Sequence, residues 1–322
     1  MSRVQEINSI EELAGYRLLW NSLLAETREA SFFQTLDWLE VYCQHYWADQ
    51  YLRVLIVYAG GQSIGILPLV VRNESTRIGT VRVLTYPLSD WGSFYGPIGP
   101  NPTATLTAAM SYISGCERDW DVVELRWVNN DRCDFRRTEQ AMRAAGIEGR
   151  KEQWRQAAMI DMEGTWDEYL ASRSRKWRKD LRAKARKLAE RGTVELVRYR
   201  PEGSANGDCD PRWDLYEMCE EIAERSWQGS SNSGTTITHE SIRGFLRDMH
   251  VRACHVGAVD MCVLLVDGKP VAFSYNYHYQ GYVHGLRMGF DPDFAKEGAG
   301  TVLMTGANRG LGFEFTQQYA AK

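Results

Sequence analysis

Residues 265–304 read LVDGKPVAFSYNYHYQGYVHGLRMGFDPDFAKEGAGTVLM. An apolar run ends at Asp267-Gly268, a second alternates through Phe273 to Tyr279, and a third follows Gln280-Gly281 and ends at Phe290. Two-residue turns of this kind join neighbouring antiparallel strands. The stretch from Val259 to Phe290 therefore predicts three strands in succession. Along the middle strand Phe273, Tyr275, Tyr277 and Tyr279 face one side, and Ala272, Ser274, Asn276 and His278 the other. The segment DPDFAKEGAG is built of turn residues, and the chain then enters a helix near Thr301.

The same arrangement occurs earlier. VYAGGQSIGI, residues 57–66, is an apolar strand, a glycine turn and a second apolar strand. Aligned on residues 265–273, Gly61 matches Gly268, Ile64 matches Val271 and Gly65 matches Ala272. Both copies follow helical patterns and precede a further strand and a Gly-rich segment, so the chain reads as a duplication. In the first half, residues 9–25 and the segment after Thr35 (LDWLEVYCQHYW) have helical spacing. Strands follow at 51–59, 63–73 and 76–86, then a helix near 103–115, a strand near 121–128 and a helix near 135–145. Between them PLSDWGSFYGPIGPNP, residues 87–102, mixes aromatics and one acid with prolines and glycines that forbid regular structure. In the second half a capping box, Thr165 to Glu168, opens a helical region. Helices are expected near 211–227 and 239–250. Units are placed at 1–155 and 156–322.

The whole chain bounds the possibilities. It has 322 residues with 44% apolar and 25% charged side chains and a net charge of −4, the profile of a soluble globular protein and not of a general nucleic-acid binder. No run approaches a membrane span. The N-terminus lacks an apolar signal core, and seven scattered cysteines form no C-x-x-C pair. A reduced, cytoplasmic protein is expected, with no metal site.

The stretch DGKPVAFSYNYHYQGYVHGLRMGFDPDFAKEGAGTVLM resembles the second half of tandem acyltransferases of the GNAT superfamily. These are the BioF2-like, cellulose-biosynthesis-associated acetyltransferases, distant relatives of the FemAB aminoacyl transferases. FFQTLDWLEVY, GGQSIGILPLVV and the basic helix SRSRKWRKDLRAKARKLAERG agree, so the resemblance spans roughly residues 10–304. It implies an α/β, α+β-like fold of two tandem GNAT-like units, each a mostly antiparallel mixed sheet flanked by helices. It implies an N-acyltransferase that uses acetyl-CoA or a longer acyl-CoA on an amine acceptor, without metal or NAD.

A Gly-rich turn before a helix offers N–H groups and a positive dipole end to phosphates. Lys296, Gly298, Ala299, Gly300 and Thr301 form such a turn. The superfamily pattern R/Q-x-x-G-x-G/A here begins at Ala295, so its guanidinium or amide is missing. Acyl transfer needs a base for the amine and a donor to the leaving thiolate. His284, Asp291 and Tyr277 are the candidates, with Asp90, Trp91, Tyr95, Trp227, Tyr275 and Arg287 for substrate. A structural reading stands beside each: a satisfied core histidine, a wetter sheet face, and loop aromatics that cap the first core.

The basic helix is the strongest charge feature. Residues 173–191 hold ten Lys/Arg against Asp180 and Glu190, a local +8 that leaves −12 on the remainder of the chain. Trp177, Leu181, Ala185 and Leu188 form a narrow apolar stripe for docking. The exposed charges suit an acidic carrier protein or an anionic surface, or are simply a solvated face. A degenerate, non-catalytic protein that docks an acidic partner through this helix is the alternative reading. Aminoacyl-tRNA-dependent transfer ranks below both, because the chain is acidic overall.

One further string, TGANRGLG at residues 305–312, resembles the turn of short-chain dehydrogenases. A dinucleotide fold needs more βα units after such a turn than the remaining residues supply. A nicotinamide enzyme is therefore not expected, and the end of the second unit after about 304 reads as atypical or truncated.

Overall fold

The computed structural model describes residues 2–306 apart from 78, 90, 154–156, 161–163, 227 and 230–235, and excludes the side chains of 304–306. The segment GANRGLG from residue 306 on lies outside this description beyond Gly306, as do Asp90 and Trp227. Two compact units are present: Met1–Gln156 with the hairpin tip Tyr279–Tyr282, and Ala157–His278 with Val283–Lys322.

The first unit runs β1 (Ser2–Ile7), α1 (Ile10–Ala14), α2 (Arg17–Ala25), α3 (Leu36–Tyr46), β2 (Gln50–Ala59), β3 (Gln62–Thr76), β4 (Gly79–Thr85), α4 (Pro102–Gly115), β5 (Val122–Val123) and α5 (Arg137–Ala144). Its sheet has the order β1-β2-β3-β4-β5, antiparallel except for the parallel pair β4-β5. Leu52–Val57 are buried without a break, which marks β2 as covered on both faces.

Two expectations in this unit need correction. The helix read across 9–25 is two helices: Gly15 N–H turns back to Glu12 O, and Tyr16 at φ −100°, ψ 7° is not helical. The strand near 121–128 shrinks to two residues, because only Val122 and Val123 pair with β4, and Trp127 sits at φ +69°.

The second unit runs α6 (Trp166–Ser172), α7 (Arg175–Ala189), β6 (Val194–Tyr199), α8 (Trp213–Arg225), α9 (Glu240–His255), β7 (Val259–Val266), β8 (Lys269–Tyr279), β9 (Tyr282–Phe290) and α10 (Ala299–Gly306). The sheet order is β6-β7-β8-β9. Every residue of β7 is buried, so it lies between two helical layers. On one face Cys262, Leu264, Val266 and Ala272 pack with Leu181, Ala185 and Leu188 of α7 and Ala299, Val302 and Leu303 of α10. On the other, Tyr275 meets Tyr216 of α8 and His250 of α9.

The repeat seen in the sequence is repeated in the backbone. Gly60-Gly61, Asp267-Gly268 and Gln280-Gly281 all have positive φ at both positions, as mirror-image hairpin turns require. In β2-β3 the register passes from Val57↔Gly65 to Tyr58↔Ser63 and skips Ile64. In β7-β8 it passes from Leu264↔Ala272 to Leu265↔Pro270 and skips Val271. Ile64 and Val271, aligned by sequence, are thus the extra residue of the same β-bulge. In both units the chain leaving the fourth strand returns to this bulge. Ile98 exchanges two 2.8 Å bonds with Ile66, and Asp291 N–H donates to Val271 O at 2.8 Å.

Close packing at the first bulge leaves no room for a side chain. A Cβ at Gly65 would lie 2.1 Å from Thr105 Oγ1 and 2.9 Å from the Ile98 carbonyl oxygen. Gly65→Val is expected to destabilise the protein by about 1–3 kcal/mol or more through overpacking, measured by urea unfolding. Unchanged stability would mean that α4 and the 87–102 loop do not pack on β3 as described.

Candidate functional site

The Gly-rich turn lies between β9 and α10. Asp291 starts it: its N–H is fixed on Val271 O, and its side chain accepts from Asp293 N–H at 3.0 Å. Lys269 Nζ lies 3.2 Å from the other carboxylate oxygen, and Arg225 Nε 3.5 Å. Burial alone would raise the Asp291 pKa, but the Asp293 N–H and the Lys269 ammonium hold it below the usual carboxylate value. A buried carboxylate so held caps the turn and is a poor proton acceptor near neutrality. These contacts engage both carboxylate oxygens of Asp291 at the start of the turn.

At the end of the turn Gly298 has φ +73°, and its N–H donates back to Ala295 O at 3.1 Å. Its carbonyl accepts from Thr301 and Val302, the first bonds of α10. The N–H groups of Ala299 and Gly300 come before these bonds and make no backbone hydrogen bond among the described residues. They are the ordinary free donors of a helix start, beside residues small enough for close approach. Lys296 is exposed.

The cation at this turn comes from elsewhere. Lys184 of α7 lies across Gly298, where an added Cβ would come within 2.6 Å of its side-chain carbon. Its Nζ is 3.3 Å from Thr301 Oγ1 and 2.9 Å from Asp180 Oδ2. The one acid next to the glycines, Glu297, is paired with Arg191 at 3.1 Å. Lys184 was read in the sequence only as one of ten basic residues. Its distance along the chain from Gly298 hides the contact.

Helix α7 docks as its stripe predicts: Leu181, Ala185 and Leu188 are buried and Trp177 is half-buried. Arg175, Lys176, Lys179, Arg182, Arg186 and Lys187 are exposed, and none has an acidic partner among the described residues. No acid stands in the first turn of α7, so Arg175, Lys176 and Arg178 oppose the helix dipole. Each such charge costs about 0.3–1 kcal/mol at low salt.

The remaining candidates separate. Tyr277 is fully buried on the α8/α9 face, edge-on to Tyr275 at 5.8 Å, and burial raises its pKa. The two-residue turn sets it across from the half-buried His284. Asp291 lies seven residues beyond His284, about 23 Å along an extended strand, where Arg225 of α8 approaches it. Tyr277 and His284 are thus brought together, and Asp291 is not. Tyr275 is a core residue whose hydroxyl lies 3.0 Å from His250 Nδ1. Arg287 is half-buried and donates to Leu286 O at 2.7 Å. Trp91 and Tyr95 are 6% and 5% exposed in the first unit, with Tyr95 against Tyr86 at 5.0 Å. Both side chains are buried.

A polar group on β6–β8 escaped the sequence reading. Asp260, 1% exposed, accepts two bonds from Arg198 at 2.9 and 3.0 Å and one from Arg200 at 2.9 Å. Asn276 donates to Asp260 O at 3.2 Å, and Ser274 donates to Asn276 Oδ1 at 3.0 Å. His278 lies near the two arginines, and burial, then Arg200, lowers its pKa, so its imidazole is neutral at pH 7. By strand alternation these side chains continue the sheet face that α7 and α10 cover. Ser274, Asn276 and His278 are legible as one face, but Asp260 and Arg198 join them only through strand register. Among the described residues no cluster suits a metal ion, and no helix is long and apolar enough to cross a membrane.

Residues 175–310 match the acetyltransferase (GNAT) domain family. No curated protein sequence is similar enough to the chain to count as a match. Among solved structures, FemX is similar over 98% of this chain and 85% of its own, at 10% identity and a TM-score of 0.55. A tandem GNAT protein from the clavulanic acid biosynthesis pathway aligns over 98% of this chain and 86% of its own, at 12% identity and a TM-score of 0.44. The chain therefore has the FemX fold, of mixed α/β structure.

His250 provides a pH test of the core beneath β8. Its Nε2 lies 2.6 Å from Pro211 O, which assigns the proton there and leaves Nδ1 to accept from Tyr275. Burial is the main cause that lowers its pKa from 6.5 to about 4. A histidine held neutral stabilises the fold fully above its unfolded value and loses that contribution as pH falls from 6.5 towards 4. Acidification from pH 7 to 5 is expected to remove about 2 kcal/mol of stability through this residue. Urea unfolding of His250→Gln at both pH values should show a flatter dependence than the wild type. An equal slope would place the titration elsewhere.

Proposed function

We propose that the chain is an N-acyltransferase that takes its acyl group from a phosphopantetheine thioester such as acetyl-CoA. The observation that carries this reading is the turn at Gly298–Thr301, within the GNAT match, with two free backbone donors, a helix dipole and Lys184 converging on one point. Such a point suits the phosphate end of the arm. From there the described outer edge of β9 leads towards His284, with backbone groups that can pair the amides of an extended arm.

At the reacting end the amine nitrogen attacks the thioester carbonyl. The C–N bond forms, the C–S bond breaks, and the proton lost by nitrogen goes to the leaving sulfur. His284 takes that proton from nitrogen and passes it to the leaving sulfur, with Tyr277 beside it as the neutral hydroxyl. Lys296, Ala299 and Arg287 contribute at the margins of the same unit. Asp291 holds the turn.

Acetyl-CoA in large excess should stabilise the protein, by about 2.7 kcal/mol at one hundred times Kd. A Cβ at Gly300 would meet the Phe290 ring at 3.0 Å and crowd the donors. Gly300→Val should abolish the thermal shift while the variant stays folded by circular dichroism. A wild type that acetyl-CoA leaves unshifted, or a variant shifted equally, sinks the reading. With a panel of amine acceptors, His284→Ala should lower kcat by about 10²–10⁴ and leave the acetyl-CoA shift intact.

A further inference from the structure

We infer that the donor is delivered on an acidic carrier protein that docks on the outer face of α7, its phosphopantetheine arm entering beside Lys184. The inference rests on the proposed acyl transfer and names its donor. Two independent observations lead to it.

The first is the outer face of α7. Arg175, Lys179, Arg182 and Arg186 follow at intervals of four, three and four residues, and all are exposed. They form one stripe about 16 Å long. It lies opposite the stripe of Trp177, Leu181 and Leu188 that packs on the sheet, with Lys176 and Lys187 on its flanks. Neighbours along the stripe repel each other, and the first-turn cations oppose the helix dipole. None of the six exposed cations has an acidic partner among the described residues to offset this. A row of unpaired cations on a rigid helix is complementary to a row of carboxylates on another protein. The apolar stripe is consumed by the core, so no hydrophobic edge is left to enter a bilayer, and a membrane is the poorer fit.

The second is the phosphate end of the site. The signature position for a guanidinium or amide is Ala295, and Lys296 is exposed. One lysine, Lys184, serves the turn, and it stands on the same helix as the stripe. A carrier-bound arm has a single phosphate, whereas CoA brings a pyrophosphate and a further phosphate. One cation matches the former. The products are the amide and the carrier's free thiol, with the proton transfer as above.

The test uses the full chain and an acidic acyl carrier protein loaded with acetyl-phosphopantetheine. Binding is followed by fluorescence anisotropy at low and at 0.5 M salt. The expected result is saturable binding that weakens at least tenfold with salt. The combined variant Arg175→Gln, Lys179→Gln, Arg182→Gln, Arg186→Gln should bind at least tenfold more weakly and keep the wild-type thermal shift with acetyl-CoA. Charge reversal at Lys176 and Lys187 alone provides a milder second variant, expected to weaken binding severalfold. Absence of carrier binding, or binding that neither variant weakens, overturns the inference. So does binding of phosphatidylserine vesicles in place of the carrier. If acetyl-CoA stabilises the protein and the carrier does not bind, the inference alone fails. If neither donor binds, the proposed acyl transfer fails with it.

Discussion

A single extra residue in a strand governs the second unit. Val271 has no partner in the β7-β8 ladder, and its carbonyl accepts the Asp291 N–H instead. That bond fixes where the chain leaves β9. The Asp291 carboxylate, held by Lys269 and by the Asp293 N–H, then sets the course of the turn. Seven residues later Gly298 starts α10 under Lys184. The position of the helix start relative to the sheet thus depends on a bulge formed before it in the chain. A β-bulge re-aims a strand at small local cost and is common next to sites.

The helix packing around it follows the same logic. β7 is buried on both faces, so helices must cover it twice. The Tyr275–His250–Pro211 chain satisfies polar atoms deep in one layer. The other layer, α7 and α10, is closed by aliphatic contacts and by the lysine that bridges them. Side-chain hydrogen bonds thus occur on both faces of the sheet, and the helix that closes the second carries exposed charge.

Much of this was legible in the sequence. The alignment of Ile64 with Val271 came from glycine spacing alone, and both prove to be the bulged residue. The hairpins, the capping box of Thr165 and Glu168 and the docking stripe of α7 also follow from local chemistry. What was missed depends on distant residues or on edges. β1 and β6 are edge strands whose mixed, partly exposed residues give weak alternation. The helix over 9–25 breaks because a satisfied turn at Gly15 competes with the periodic pattern. Lys184 reaches Gly298 across a long stretch of chain, and Asp260 meets Arg198 only through register. The Lys269 and Asp293 contacts that engage Asp291 belong to the fold and have no local signal in the sequence.

The two copies of the repeat are not equivalent chemically, and the difference lies at one helix start. In the first unit Ile98 is bridged to Ile66, and α4 begins three residues beyond Gly99 with Pro102. Proline has no N–H, so the first of the free donors is absent. Asn101 O accepts from both the N–H and the hydroxyl of Thr105, which folds the start of α4 onto its own side chains. In the second unit the corresponding helix opens with Ala299 and Gly300, which keep their donors and have almost no side chain. The bulge is present in both units, and a helix start with two free N–H donors in one. That asymmetry agrees with a family match confined to residues 175–310. A duplicated sheet supplies the frame twice, while the capacity to hold a phosphate depends on which residues begin the helix after it.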